Sequence, residues 1–596
     1  MLIADCETDN LLPAMTRLWC IQLGEMETDE VTVYADQPGF APLVEAIERL
    51  KAADSYVFHN GLGFDMDAIN RIYPGTITRE KLLDTLVMAR LKDPEERDHT
   101  LKGWGRRLGI LKGEYRGDFQ SFTDELVEYA RQDVTVGRAL YHRVKDVQSW
   151  GVSCAIEHAV AHAMVLQERN GFGFNVAAAV TLEAELRGEL NDLAVTLRDT
   201  FQPMWVPLRV KGEPAVVTPK VRSAKLGTSP DAPYTRVVRE VFNPTSRQHV
   251  AKRLKALGWI PKVFTPDGHP KVDEKTLASL KSPHAVLLRR YFRLSKMIGQ
   301  ISDGKAGWLK LVTPQGRIHG RVNPNGALTG RMTHSRPNVA QCDSDPRMRA
   351  LWVPKPGWTL LGCDMEGVEA RMLAHYLTRW DRGSFTEMLI NGKKELGTDV
   401  HSANATAVGK MGFKVTRQGA KVLLYALMYG AGDPKLGNVV LEDLKDQKLS
   451  RPSLPAREIG ALVRMALAKS MVGIDKLAAA TAARVRAKQP LIGLDGRKLV
   501  PRGTNSSLNT LLQGAGAVAM KVAIARFFEL NGSTHGQSWG LCATVHDEVQ
   551  IECEPAVAEK LGEQFKQCIA EAGIILGVKC PLAGSAETGN NWSATH

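Results

Sequence analysis

The first 133 residues carry four acids and one tyrosine whose spacing suits metal-dependent chemistry. Asp5 and Glu7 lie two apart in an apolar run, so both side chains point to one face of a predicted strand. Asp65 ends the segment HNGLGFD, and Tyr129 and Asp133 lie four apart on one face of a predicted helix. Four carboxylates on rigid elements can hold two divalent cations about 3.5–4 Å apart, and a phenol beside them can orient an attacking water.

The alternative interpretation is that these acids are ordinary solvated surface residues. A lone D-x-E pair is common on protein surfaces and is more often solvated than catalytic. Asp84, in LLDTLVMARL, is a further acid close to these segments, and we interpret it as structural support rather than as a metal ligand.

A second pair of aspartates lies in the C-terminal half of the chain. Asp364 ends the apolar segment LLGCD, and Asp547 lies between His546 and Glu548 at the tip of a predicted hairpin, LCATVHDEVQIE. An acid at the end of a buried strand is costly without a partner, so we expect a cation there. Two such acids brought together across a sheet would make a second two-metal site.

A third pattern combines basic and aromatic residues. Arg417, Lys421, Tyr425 and Tyr429 recur every four residues and predict one stripe along a helix. Two cations followed by two rings suit a triphosphate at one end and a base at the other, because cations meet phosphate oxygens and rings stack. A solvated helix face with aromatic core contacts gives the same pattern, so the stripe alone does not decide.

Composition and charge narrow the function classes. The chain has 596 residues, of which 44% are hydrophobic and 24% charged, which excludes a mainly disordered or fibrous protein. The formal charge is +12, with residues 1–145 at −7 and the remainder at +19. A basic body favours a polyanionic partner, because neutralising phosphates releases counterions.

Cysteine usage and the N-terminus indicate a compartment. The nine cysteines form no CxxC pair, which argues against a zinc ribbon or a disulfide framework and fits a reducing environment. MLIADCETDN lacks the basic start of a signal peptide, and no uncharged apolar run reaches the ~18–20 residues of a membrane span. We expect a soluble cytoplasmic protein with no membrane partner.

The predicted elements place these motifs. LIAD and SYVFHN predict strands, and DELVEYARQDVTVGRALYHRV predicts a long helix closing an α/β domain over residues 1–145. Helices are predicted over 155–200 and 245–300. Between them, residues 202–235 contain six prolines and five basic residues against few acids, which predicts an irregular, solvated basic loop.

Taken together, the motifs resemble two known families. The order D-x-E, N-x-x-x-F-D, Y-x-x-x-D resembles the DEDD-type 3′→5′ exonucleases. Residues 364–371, 417–430 and 546–548 look like motifs A, B and C of the family A (polymerase I-like) DNA polymerases. TGRMTHSRPNVAQ, DVHSAN, LDGRKLV, LNTLLQGAGA and the closing NNWSATH extend the resemblance over nearly the whole chain, in the manner of the short replicative polymerases of podophages.

The resemblance implies a fold and an activity. The fold would be α/β, with an RNase H-like DEDD exonuclease domain before a right-hand polymerase. The activity would be template-directed addition of dNTPs to a primer 3′-OH, with 3′→5′ proofreading, in replication of phage DNA in the host cytoplasm. The implied domains are exonuclease 1–145, linker and thumb 146–320, palm 321–395 and 509–596, and fingers 396–508.

The resemblance also implies metal ligands. Two Mg²⁺ ions would occupy each site, with Mn²⁺ as an alternative ion. The polymerase pair would be held by Asp364, Asp547 and the Met365 carbonyl, with Glu548 as support, and the exonuclease pair by Asp5, Glu7, Asp65 and Asp133, with Tyr129 orienting water.

Substrate-binding roles follow from the same resemblance. Arg417, Lys421 and His401 would contact the triphosphate, Tyr425 would pack on the incoming sugar, and Tyr429 would form the template-stacking gate. Glu369 would exclude a ribose 2′-OH. The minor-groove edge and the primer end would be read by Arg331, Asn509, Gln513 and His546. Many family members have Phe where this chain has Tyr425, which implies tolerance of dideoxynucleotides.

Partners are implied less directly. Primer–template DNA and dNTPs follow from the activity, and a helicase–primase and a single-stranded-DNA-binding protein follow by analogy with phage replisomes. Some podophage relatives carry a large thumb insertion that binds host thioredoxin. The corresponding stretch here, 202–235, is short, Pro-rich and basic, which argues against thioredoxin and favours contact with duplex phosphates. The chain starts at the exonuclease motif, so we expect no 5′-nuclease.

Three competing functions remain to be weighed. A nuclease whose C-terminal body only grips nucleic acid would need a broken motif A, B or C. A non-catalytic DNA-binding scaffold would need to lose both carboxylate sets. A phage-type RNA polymerase has no need for Glu369 or for an upstream nuclease, whereas this sequence carries Glu369 and the nuclease motif. Motifs A, B and C and both carboxylate sets are intact, so the sequence favours none of the three alternatives.

Overall fold

The computed structural model of the chain describes residues 1–110, 113, 115–225, 227–280 and 282–596. Residue 226, within the predicted 202–235 loop, lies outside that description. The chain divides into two compact units, one made of residues 1–173, 317–341 and 352–596 and the other of residues 174–316 and 342–351. Both carboxylate sets belong to the first unit.

The N-terminal region of the first unit is a mixed sheet with helices. Its strands are β1 Leu2–Thr8, β2 Leu18–Glu25, β3 Val31–Tyr34, β4 Tyr56–Phe58 and β5 Leu82–Asp84, and its helices are α1 Leu43–Ala52, α2 Asp65–Ile72, α3 Thr85–Lys92, α4 Leu101–Leu108 and α5 Asp124–Val144. The strand order is β3-β2-β1-β4-β5, with β1 antiparallel to β2 and parallel to β4. The α/β prediction for residues 1–145 is confirmed, and β1, which carries Asp5 and Glu7, is the central strand.

The 202–235 segment, predicted as an irregular basic loop, contains short paired strands over residues 204–217 and 234–235, whereas the described residues between 218 and 233 are irregular. The chain between residues 153 and 311 forms α6 Ser153–Asn170 and β6 Phe172–Phe174, then α7 Val176–Thr200, β7 Met204–Pro207, β8 Arg209–Val210, β9 Glu213–Pro214, β10 Val216–Val217, β11 Tyr234–Thr235, β12 Val237–Glu240, α8 Arg247–Ala256, α9 Glu274–Ala278, α10 Pro283–Ile298 and α11 Trp308–Leu311. Strands β7–β12, β8–β9 and β10–β11 pair antiparallel. Prolines are tolerated because two-stranded ribbons have free edges that need no ladder N–H. The segment is largely exposed, as a solvated stretch should be.

The C-terminal part of the first unit is built on a four-stranded antiparallel sheet. The remaining elements are β13 Arg317–Ile318, β14 Arg321–Asn323, β15 Thr333–Ser335, α12 Pro346–Arg349 (in the second unit), β16 Trp352–Val353, β17 Thr359–Met365, α13 Val368–Asp381, α14 Ser384–Asn391, α15 Val400–Gly409, α16 Arg417–Met428, α17 Asp433–Asp446, α18 Ala456–Ser470, α19 Ile474–Arg486, β18 Leu491–Ile492, β19 Lys498–Leu499, α20 Ser507–Asn531, β20 Trp539–Val545, β21 Glu548–Cys553, α21 Pro555–Ile575 and β22 Gly584–Gly589. The sheet order is β20-β21-β17-β22. Its apolar residues join α13, α16, α20 and α21 in one hydrophobic core.

Helix α20 is a long, largely buried apolar helix of this core. With its flanking turns, residues 504–534, it is long and apolar enough to cross a membrane, but 78% of its most apolar window is buried inside the protein. Small residues let neighbours approach closely, since a Cβ at Gly516 would lie 3.1 Å from a methyl group of Val368 on α13. Burial on this scale is typical of a central core helix.

Candidate functional site

The N-terminal acids form a compact cluster. Carboxylate oxygens of Asp5, Glu7 and Asp133 lie within 4.8 Å of one another, two from β1 and one from α5. Like charges at this distance disfavour one another unless a cation lies among them. An oxygen-only ligand set suits a hard divalent ion such as Mg²⁺.

Asp65 lies beside this cluster rather than within it. Among the described residues the group within 4.8 Å contains only the other three acids. Asp65 begins α2, is 4% exposed, and accepts a hydrogen bond from the backbone N–H of Cys6 at 3.2 Å, between Asp5 and Glu7. Burial raises the pKa of Asp65 to about 7, because the charged carboxylate is disfavoured away from water.

Asp84 has the structural role that the sequence suggested. Its carboxylate accepts from the backbone N–H groups of Asn60 (2.9 Å), Leu62 (3.1 Å) and Leu86 (2.9 Å). It thereby caps α3 and fixes the turn that leads into Asp65, so its oxygens serve backbone donors.

The C-terminal aspartates meet at one end of the four-stranded sheet. In the β17–β21 pairing Asp364 lies opposite Glu548, and the Met365 N–H donates to the Asp547 carbonyl at 2.9 Å. Burial and the nearby Asp547 and Glu548 carboxylates raise the pKa of Asp364 to about 7, and burial followed by Glu369 raises the pKa of Asp547. Buried carboxyl groups whose ionisation is disfavoured by neighbouring carboxylates suit a site that would hold a divalent cation.

The basic end of the stripe lies where two helices begin. Arg417 is the first residue of α16, and its Nη2 lies 2.9 Å from Oδ1 of Asp399, which also caps α15 through the His401 N–H. Burial lowers the pKa of His401, and the cations of Arg417 and Lys421 lower it further. Lys421 is exposed and has no ion-pair partner in the described part of the chain.

The aromatic end of the stripe lies beside Glu369. Helix α16 ends at Met428, so Tyr429, predicted to lie on the helix, is the residue just after it, with its ring centroid 6.2 Å from that of Tyr425. Glu369, on α13, pairs with Arg331 at 3.0 Å. Burial raises the pKa of both tyrosines, and the Glu369 carboxylate raises each further, which places these groups around one point.

One cleft of about 2090 Å³ connects the two halves of the first unit. Asp5, Glu7, Asp65, Tyr129 and Asp133 line its N-terminal side. Its C-terminal side is lined by Arg331, Asn509, Gln513 and His546, the four residues implied to read DNA. The cleft therefore joins the acidic cluster to the surface beside Asp547.

Comparison with known proteins identifies the family. A family model described as DNA polymerase family A matches residues 225–594. The chain belongs to DNA polymerase family A. It is 30% identical to the DNA-directed DNA polymerases of Enterobacteria phage T3 and Escherichia phage T7, each over 100% of both chains. DNA polymerase I of Aquifex aeolicus is 24% identical over 97% of this chain and 94% of its own.

A solved structure supports the fold of this family A polymerase. The polymerase domain of Pol1 from M. smegmatis, in complex with DNA primer–template and dNTP, matches 100% of this chain and 96% of its own, with a TM-score of 0.71 and 17% identity. The resemblance inferred from motifs A, B and C is confirmed at the level of family and fold.

The sequence did not reveal what holds Glu548. In the polymerase its carboxylate accepts from Gln550 Nε2 (2.7 Å) and Trp592 Nε1 (2.5 Å), and His596 Nδ1 lies 2.9 Å from its other oxygen. The C-terminal tail thus returns to the sheet edge that carries Asp364 and Glu548. A buried acid on β21 was the available signal that a distant donor must exist. Asp399, the partner of Arg417, was also missed.

Replacing Trp592 by phenylalanine is expected to lower the free energy of unfolding by about 1–3 kcal/mol or more, because a buried carboxylate oxygen loses a donor and the smaller ring leaves a void at a buried position. Chemical denaturation against wild type measures the change. Ser593→Ala, in the same tail, should stay within about 0.5 kcal/mol of wild type. Equal stability of Trp592→Phe and wild type would contradict the tail's role.

Proposed function

We propose that this family A polymerase adds dNTPs to a primer 3′-OH under template direction and removes mismatched primer ends by a 3′→5′ exonuclease. One observation carries the proposal: two separate carboxylate sites lie in one unit, and a single cleft runs from the first to the DNA-reading residues beside the second. The domains are exonuclease 1–145, linker and thumb 146–320, palm 321–395 with 509–596, and fingers 396–508.

Two Mg²⁺ ions at each site fit the donor sets, and Mn²⁺ could take their place. Asp364, Asp547 and the Met365 carbonyl would hold the polymerase pair. The exonuclease pair would be held by Asp5, Glu7, Asp65 and Asp133. When bound, these ions activate the attacking oxygen and neutralise charge on the leaving group. Tyr129, one turn before Asp133 on α5, would orient the water at the exonuclease site.

The incoming nucleotide would lie along α16. Arg417, Lys421 and His401 would bind its triphosphate, and the Asp399 ion pair holds Arg417 ready for this contact. Tyr425 would pack against the sugar and Tyr429 would gate the template base. Glu369 would exclude a ribose 2′-OH, since a carboxylate held by Arg331 leaves little room for another oxygen.

DNA contacts follow the cleft. Arg331, Asn509, Gln513 and His546 would read the minor-groove edge and primer end, where acceptors are shared by all correct pairs. The exposed basic ribbons of residues 204–240 favour contact with duplex phosphates over host thioredoxin. A helicase–primase and a single-stranded-DNA-binding protein would be partners in replication of phage DNA in the host cytoplasm.

Replacing Tyr425 by phenylalanine is expected to lower incorporation of dideoxynucleotides relative to dNTPs by roughly 10–100-fold, because the lost hydroxyl removes one hydrogen bond near a charged substrate. Competition between dNTP and ddNTP on a primed template measures the ratio. The matched control is Tyr429→Phe, whose ring lies 6.2 Å away and which should keep the wild-type ratio. Strong dideoxy discrimination by the wild-type protein would contradict this role of Tyr425.

A primed template with Mg²⁺ tests the proposed function. With all four dNTPs the wild-type protein should extend the primer, and without dNTPs it should shorten it from the 3′ end. A protein that only shortens the primer at every dNTP concentration would contradict the polymerase assignment.

A further inference from the structure

The segment LDGRKLV forms the centre of a buried charge cluster. Arg497 and Asp495 lie between β18 and β19 and are 2% and 1% exposed. Nη2 of Arg497 lies 2.7 Å from Oδ2 of Asp495 and 2.6 Å from Oε1 of Glu157 on α6, and Glu157 also pairs with Lys521 on α20. Two cations and two anions balance, so the cluster can be buried without net charge.

Arg497 also supports a turn that borders the cleft. Its Nη1 donates to Oδ1 of Asn325 at 3.3 Å, and Nδ2 of Asn325 donates to the Arg90 carbonyl at 3.0 Å, on the exonuclease side. A Cβ at Gly330 would lie 2.5 Å from Nη1 of Arg497, and Gly330 has φ +74°, so the turn packs directly on the guanidinium.

The turn ends at the residue that holds the proposed sugar gate. The Ala327 N–H donates to the Arg331 carbonyl at 3.2 Å, which closes the turn, and the Arg331 side chain pairs with Glu369 at 3.0 Å. A shift of residues 325–331 would therefore displace the Arg331–Glu369 ion pair.

We propose that Arg497 is a positioning residue for nucleotide selection: through Asn325 and Gly330 it fixes the turn 325–331, and thereby the Arg331–Glu369 pair beside the incoming sugar. The inference rests on the proposed role of Glu369 as the sugar gate.

The side-chain chemistry favours this role over stability alone. Apolar residues of similar volume often stabilise a core as well as buried ion pairs do, so stability by itself does not require four buried charges. The planar guanidinium bonds Asp495, Glu157 and Asn325 at once, whereas the single ammonium of a lysine cannot reproduce that fork.

Ribonucleotide discrimination tests the inference. We would compare kcat/KM for dNTP and rNTP in the wild type, Asn325→Ala, Arg497→Lys and Glu369→Ala. Asn325→Ala removes the hydrogen bond between Arg497 and the turn but leaves the charge cluster intact. This variant therefore tests the proposal even if Arg497→Lys folds poorly. Lys521→Met is the matched control, because Lys521 pairs with Glu157 in the same cluster and no hydrogen bond or ion pair of the described residues joins it to the turn 325–331.

We expect Asn325→Ala and Arg497→Lys to relax the discrimination on the order of tenfold, because sub-ångström misplacement of a selecting group is costly. Glu369→Ala should relax it more, and Lys521→Met should keep the wild-type ratio. If Asn325→Ala keeps the wild-type discrimination while Glu369→Ala relaxes it, the proposed role of Arg497 is overturned and the gate assignment of Glu369 stands. If Lys521→Met relaxes the discrimination as much as Asn325→Ala and Arg497→Lys do, the effect is one of general destabilisation and the proposed role of Arg497 is overturned. Unchanged discrimination in Glu369→Ala would overturn the gate assignment and the inference with it.

Discussion

Replacing Asp364 by asparagine is expected to reduce DNA synthesis by roughly 10³-fold or more, because several kcal/mol of metal-borne charge stabilisation would be lost. Asparagine keeps the side-chain volume but removes the charge at a position where burial and the Asp547 carboxylate raise the pKa of Asp364. Single-nucleotide extension of a matched primer measures the loss. Degradation of the primer 3′ end should continue at the wild-type rate.

Glu548→Gln is the graded control for this prediction. The Glu548 carboxylate already accepts from Trp592 and Gln550, so it supports the sheet edge more than it serves a metal ion. We expect a loss below about tenfold, because the amide oxygen of glutamine can still accept from both donors although the charge is lost. Equal losses in Asp364→Asn and Glu548→Gln would contradict the assignment of Asp364 as a metal ligand.

Replacing Asp5 by asparagine is expected to reduce 3′→5′ degradation by roughly 10³-fold while sparing synthesis, because the cluster with Glu7 and Asp133 loses one anionic ligand. Degradation of a labelled single strand measures it. Asp67→Asn is the matched control, since Asp67 lies two residues after Asp65 on α2 but pairs with Arg169. Full exonuclease activity in Asp5→Asn would contradict the assignment of that activity to the cluster of Asp5, Glu7 and Asp133.

Local patterns in the sequence predicted the elements that carry both sites. The long helix with Tyr129 and Asp133 has the predicted bounds, because Thr123 caps its start by accepting from the Leu126 N–H. The hairpin with Asp547 at its tip is confirmed, and the strand predicted to end at Asp364 ends one residue later, at Met365, because apolar runs with clear ends specify short strands.

Long-range contacts account for what the sequence did not show. The ribbons of residues 204–240 pair strands of two to four residues across prolines, which no periodicity reveals. The contact of Trp592 and His596 with Glu548 joins residues more than forty positions apart. The buried partners of Arg497 lie on three separate segments, so its place in a motif gave no hint of its environment.

The central claim is that one chain holds two separate metal-dependent sites, one for synthesis and one for proofreading. A single primed template with Mg²⁺, with and without dNTPs, tests it in wild type, Asp364→Asn and Asp5→Asn. The account predicts that Asp364→Asn degrades but does not extend the primer and that Asp5→Asn extends but does not degrade it. Loss of both activities in either variant, at wild-type thermal stability, would contradict two independent sites.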